Sequence, residues 1–252
     1  MRDEFIQYWY AAVVTILFYA SIIYYSNTFY RFNNIILFSL IVGGSLLIIK
    51  LYNNPLSIIL KGVKYEELVS NELRNKLQEI VKTKNSFLTD SVRFLVFDDK
   101  NINMFCIKTP ECTNFFLTSK AVEVLTLFDF DTIFTYFDIV NNNKRMMFDT
   151  IYLTIGRPFE YLSFGANITE SILSLVTKKN ERLIIDHEVV AKTNNLLIYK
   201  RLLEKVKASN CVSTIPASFG IVGFDKVYKD IISKHYSTID DMQTRINSLS
   251  NY

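Results

Sequence analysis

The sequence predicts a helix-dominated α+β soluble domain with a small, early β-sheet, preceded by an N-terminal hairpin of two membrane-spanning helices. Three observations carry that expectation. The chain has 252 residues, 50% of them hydrophobic, and its apolar excess is concentrated near the start in two uncharged runs. Glycine (7) and proline (4) are scarce, so the many tight turns of a β-rich fold are not provided for. Strand-like alternation is confined to the stretch from Ser91 to Leu117, and helical periodicity dominates from Thr118 onward. Residues 1–53 are therefore read as the hairpin and 54–252 as one domain, without internal repeat or low-complexity linker.

The two apolar runs are Trp9–Tyr25 and Ile35–Ile49. Covering the hydrocarbon core takes about 20 helical residues, and with flanking aromatics the spans become about 8–27 and 34–52. Tyr8, Trp9 and Tyr10 at one end, and Tyr24, Tyr25 and Tyr30 at the other, form the interfacial belts that amphipathic rings favour. The SNTFYRFNN connection is too short to hold a domain, so the helices should run antiparallel, and Gly43, Gly44 and Ser45 permit close approach. Arg31 is the loop's one cation, whereas Lys50, Lys61, Lys64, Arg74 and Lys76 follow the second span. The positive-inside bias thus predicts a multi-pass protein of the cell membrane with both termini and the soluble domain cytoplasmic. A cleaved signal peptide is disfavoured, because Asp3 and Glu4 offset Arg2 and a second span follows. Neither uncharged run, Trp9–Tyr25 or Ile35–Ile49, holds a charged side chain that would mark an ion path; the lipid bilayer is the expected partner.

In the soluble part, Asn53-Asn54-Pro55 ends the second helix. Glu66–Lys84 places Leu68, Leu73, Leu77, Ile80 and Val81 on one helical face. Ser91–Phe97, Met104–Lys108 and Phe115–Leu117 read as strands. Thr118-Ser119 can cap a helix through Val122, Leu125 and Leu127, and Asp129 and Asp131 open another that stops at Asn141–Asn143. Further helices are expected near 146–156, 166–178, 180–207, 222–234 and 239–249. The apolar stretch 146–177 is interrupted by Asp149, Arg157, Glu160 and Glu170, and a charge at mid-membrane costs about 3 kcal/mol. It is read as buried helices or a membrane-surface lid.

A net charge of +3 without basic runs excludes an evident nucleic-acid binder. Cys106, Cys112 and Cys211 have no metal-type spacing and are read as reduced thiols; Cys106 and Cys112 bracket a hairpin-like turn around Pro110 and could pair only under oxidation. No Gly-x-Ser-x-Gly elbow and no Gly-rich phosphate loop occur. No small-molecule ligand or cofactor is expected.

The order of elements resembles that of the HtpX-like membrane zinc metallopeptidases. NINMFCIK (Asn101–Lys108) is similar to the family's Asn-Ala-Phe-Ala edge strand, and FFLTSKAVEVL (Phe115–Leu125) to its following strand and helix. DFDTIFTYFDIVNNN (Asp129–Asn143) falls where the family has its HExxH helix. ERLIIDHEVVAKTNN (Glu181–Asn195) resembles the segment with the third zinc ligand, and SKHYSTIDDMQTRINSL (Ser233–Leu249) the His-Pro segment and Arg-Ile ending. The resemblance implies a metallopeptidase-like soluble domain.

It also implies that the zinc chemistry is gone. HExxH works because two histidines one turn apart hold zinc beside a glutamate base, and those positions read Tyr136, Phe137 and Val140, with Ile184 at the third ligand position. A catalytic zinc needs three protein ligands and an open site; here the vacated pocket is expected to be hydrophobic core. The expectation is a non-catalytic pseudopeptidase that binds other membrane proteins as regulator or accessory subunit. The alternative is an active metallopeptidase with ligands relocated to His187, Glu188 and His235.

Overall fold

The computed structural model describes residues 2–60, 63–88, 90–142, 145–162, 181–209, 220 and 242–250. The expected helices near 166–178 and 222–234, together with Cys211, His235 and Asp240-Asp241, lie outside the described residues. The first two helices are α1 (Arg2–Tyr30) and α2 (Asn34–Asn53), followed by the short α3 (Pro55–Ile59). Over Ile6–Tyr30 and Asn34–Asn53 they are long and apolar enough to cross a membrane. Their outer faces leave Leu17, Phe18, Ile36, Leu46 and Leu47 more than half exposed, an apolar surface that water would penalise and lipid would not. The two helices meet where the Tyr19 ring lies on Gly44, at a spot with no room for a Cβ.

Four strands follow the hairpin: β1 (Glu66–Glu67), β2 (Val92–Phe97), β3 (Met104–Lys108) and β4 (Thr113–Thr118). Their order across the sheet is β1-β2-β4-β3, with β2 and β4 parallel and both outer pairs antiparallel. Side chains alternate between the faces, as the pleat requires. Phe94, Met104, Cys106, Phe115 and Leu117 enter one core, while Leu95, Phe97, Phe105, Ile107 and Phe116 enter a second.

Helices cover both faces. The larger core is closed by α4 (Asn71–Lys82), α5 (Ser119–Val124), α6 (Leu127–Asn142), α8 (Glu181–Thr193), α9 (Leu196–Ala208) and α10 (Met242–Leu249). The smaller core is closed by α3 and by α7 (Arg145–Leu162), through Ile59, Leu60 and Leu153. A third cluster joins Met147 of α7 to Tyr8, Ala12 and Tyr52 at the base of the hairpin. The Tyr8 hydroxyl there donates to the Tyr52 carbonyl at 2.8 Å. The layers therefore run hairpin, α7 with α3, sheet, then the α6-centred helices.

Three local expectations are corrected. The helix expected from Glu66 begins at Asn71, because the Ser70 hydroxyl caps it by accepting from the Leu73 amide at 3.3 Å. Glu66-Glu67 instead joins the sheet, and the Leu68 amide extends the ladder to the Phe94 carbonyl at 3.0 Å. The single helix expected over 180–207 is two. Asn194 takes φ 49°, a left-handed conformation asparagine tolerates, and the Asn195 side chain accepts from the Ile198 amide to start α9. The helix after Thr118 stops at Val124, and Thr126 and Asp129 start α6 by mutual capping: the Thr126 amide donates to the Asp129 carboxylate at 2.9 Å, and the Asp129 amide to the Thr126 hydroxyl at 3.3 Å.

The β3–β4 turn spans Thr109–Cys112, closed by the Thr109 amide on the Cys112 carbonyl at 2.9 Å. Cys106 pairs across the ladder with Phe115, three residues beyond Cys112. At about 3.4 Å per residue that offset is about 10 Å, beyond the roughly 7 Å a disulfide spans; both thiols are buried and free. Asp90, just before β2, pairs with Lys108 at 3.2 Å with both side chains nearly sealed from solvent, and accepts the Thr113 hydroxyl at 2.7 Å.

Candidate functional site

The segments singled out by the resemblance meet in the larger core. Helix α6 is buried along nearly its whole length, so its apolar and aromatic run is a central helix with no solvated face. Its N-terminus is fixed by the Thr126–Asp129 cap and by Lys205 of α9, whose ammonium donates to Asp129 at 2.7 Å. Farther along, the Asp138 carboxylate accepts from the amide and hydroxyl of Ser86 at 3.0 and 2.7 Å and from Lys192 of α8 at 3.3 Å. Burial alone would raise both carboxyls, but these hydrogen bonds and ammonium groups outweigh it and hold both below the usual range. Asp138 thus ties three elements together.

Tyr136, Phe137 and Val140 are buried, as expected, and the Tyr136 ring meets Phe137 edge-on at 5.5 Å. Over the Tyr136 ring, 5.7 Å from its centre, sits the guanidinium of Arg245 from α10. Arg245 and Asp186 of α8 are both 0% exposed. Arg245 grips Asp186 with two hydrogen bonds, Nε to Oδ2 and Nη2 to Oδ1, each 2.7 Å. The Tyr199 hydroxyl of α9 donates to the same Oδ1 and receives Arg245 Nη2 at 3.4 Å. Burial, reinforced by the Asp186 charge, pushes the Tyr199 hydroxyl far above its ordinary value, so it stays a donor. For Arg245, burial acts against the charge, and the Asp186 carboxylate overrides it.

Ile184 departs from its expected place: it is 56% exposed rather than part of the core. The reason is helical phase. It lies two residues before Asp186, about 200° around the helix at 100° per residue, so it faces away from Tyr136 and Val140. The residues one turn before Asp186 are Arg182 and Leu183, neither able to serve as a carboxylate ligand. His187 is half-buried and Glu188 exposed, next to each other on α8. Among the described residues no group of three His, Cys, Asp or Glu side chains could hold a metal ion.

The Arg245–Asp186–Tyr199 cluster is a buried polar network: both carboxylate oxygens are engaged and the guanidinium is stacked and paired. Asp186 and Arg245 sit in matched segments and Tyr199 just beyond one; sequence reasoning considered Asp186 only as a metal neighbour of His187, gave Arg245 no role and missed Tyr199. The available signal was one acid and one base on helix faces otherwise apolar toward the core. Apart from this network, a groove of about 950 Å³ opens beside the edge strand β1 and α5, lined by Tyr65, Glu67, Leu68, Val69, Phe97 and Val122.

Fold and site define a helix-dominated α+β protein with a small four-stranded sheet and two N-terminal helices fit to cross a membrane. No protein-family model, curated protein or solved structure matches the chain.

Proposed function

We propose that the chain is a membrane-anchored, non-catalytic relative of the HtpX-like peptidases that acts by binding protein, as regulator or accessory subunit of a membrane assembly, with its soluble domain in the cytoplasm. The observation that carries this reading is the convergence of three of the five matched segments, through Tyr136, Asp186 and Arg245, on one ion pair. In a metallopeptidase those segments would converge on zinc. Here Tyr136 offers a ring face to a buried cation, Val140 packs, and Ile184 points outward, so the space is committed to packing and to one ion pair. A dication placed beside a buried guanidinium would be repelled. A place for a partner is the groove at β1, whose outer edge pairs with no strand among the described residues and where Val69 is 84% exposed.

The test is a photo-crosslinking amino acid at Val69, with Leu197 on α9 as the control, in native membranes. A discrete adduct from Val69 and none from Leu197 supports the reading. Chelator-sensitive proteolysis of a defined substrate by the purified wild-type chain sinks it.

A further inference from the structure

Helix α7 has three faces, and the fold accounts for two. Met146, Thr150 and Leu153 turn toward the sheet, where the Thr150 hydroxyl donates to the Lys108 carbonyl at 2.7 Å. Met147, Ile151 and Ile155, at successive turns, pack on the base of the hairpin. The third face carries Phe148, 51% exposed, whose ring stacks at 6.2 Å on Tyr152, a residue at the edge of this face that is partly buried against the smaller core. At 100° per residue, Phe148 and Tyr152 fall directly beside the hairpin-facing stripe.

We propose that this third face lies in the membrane interface, with Phe148 and Tyr152 set at the boundary between headgroups and acyl chains. The inference rests on α1 and α2 being inserted. Depth is what carries it. The cluster that receives α7 includes Ala12 and Ile48, both inside the apolar spans, and Ala12 lies six residues in from Ile6. Six residues at 1.5 Å are about 9 Å of helix, whereas the headgroup layer is only about 5–8 Å deep. A helix whose Met147 joins the cluster that holds Ala12 therefore stands at or within that layer. Asp149, next to Phe148 in the chain, is 1% exposed, so its carboxylate is not carried onto the open face. A stacked aromatic pair continuous with a lipid-exposed hairpin has the amphipathic character that the interface selects. The occupant of this face is thus the bilayer itself.

The experiment uses the full chain in phosphatidylcholine vesicles, with lipids brominated near the headgroup and, separately, aqueous iodide as quenchers. Trp9 is the chain's single tryptophan, so the native protein reports on the anchor, and W9F/F148W reports on α7. The proposal expects the native Trp9 and the introduced tryptophan both to lose most of their emission to bromolipid, and the latter to be shielded from iodide. W9F/Y152W repeats the measurement should the first variant misfold, and W9F/L197W, across the sheet, should respond to iodide alone. Iodide quenching at position 148 without bromolipid quenching overturns the proposal while leaving the anchor intact. Shielding from both quenchers there also overturns it, since protein would then cover the face. Insensitivity of native Trp9 to bromolipid removes the anchor and the proposal together.

Discussion

Arg245 and Asp186, 59 positions apart, form a bidentate ion pair with neither side chain exposed to solvent. Breaking such a pair from one side strands a buried charge, at a cost of about 3–5 kcal/mol, whereas replacing both partners with apolar residues is far milder. R245M and D186N should each lower the thermal midpoint in detergent sharply, and D186L/R245M should recover much of the loss. Equal destabilisation by the double and the single variants would contradict this account of the pair.

Tyr199 completes the network by donating to Asp186. Y199F removes one donor from a buried carboxylate and should cost about 1–3 kcal/mol, with little change in shape. The same melting measurement reads it, and a neutral Y199F would place the hydroxyl outside the network.

The depressed carboxyls of Asp129 and Asp138 predict an acid limb in stability. Both carboxyls are held lower in the fold than in the unfolded chain. Their contribution is complete above the ordinary carboxylate range and is lost as pH falls through the depressed folded values. The melting temperature should fall on acidification below the ordinary range, and D138N should flatten that limb while lowering stability at neutral pH. An unchanged acid limb in D138N would show that the Ser86 and Lys192 contacts contribute nothing.

Cys106 is fully buried, and burial pushes its thiol far above its ordinary value, with Lys108 opposing and Asp90 adding to the rise. In a variant keeping only this cysteine, maleimide labelling at mildly alkaline pH should be absent from the folded protein and appear on denaturation. Rapid labelling of the folded chain would contradict the burial.

Histidines placed at Tyr136 and Val140 should not create a zinc site. Y136H/V140H supplies two ligands on one face of α6, but Ile184 faces outward and Arg245 holds the adjacent space. No stoichiometric zinc uptake is expected by elemental analysis of the double variant, since three ligands and an open position are required. Stoichiometric uptake would show that a metal-sized cavity is open beside Tyr136.

Much of the architecture was legible in the sequence because periodicity reports burial directly. The uncharged runs marked α1 and α2, and alternation from Val92 to Phe97 and the short run Met104–Lys108 located strands whose faces enter two different cores. The features that stayed hidden depend on side-chain capping and helical phase. Ser70 and the Asn194-Asn195 pair decide where helices begin and break, and neither disturbs the hydrophobic pattern that suggested longer helices. Ile184 was assigned by its place near Asp186, although two residues of helix turn it to the opposite face. The ion pair itself was illegible because its partners are distant in sequence and only the packing of α8 against α10 brings them together.

The central claim is that the fold carries no catalytic zinc, and zinc content measures it most directly. Elemental analysis of the detergent-purified full chain, hairpin intact, should find less than about a tenth of an equivalent. A tightly held amount near one equivalent, lost on replacing His187 and His235 by alanine, would contradict the account and return the chain to the metalloenzymes.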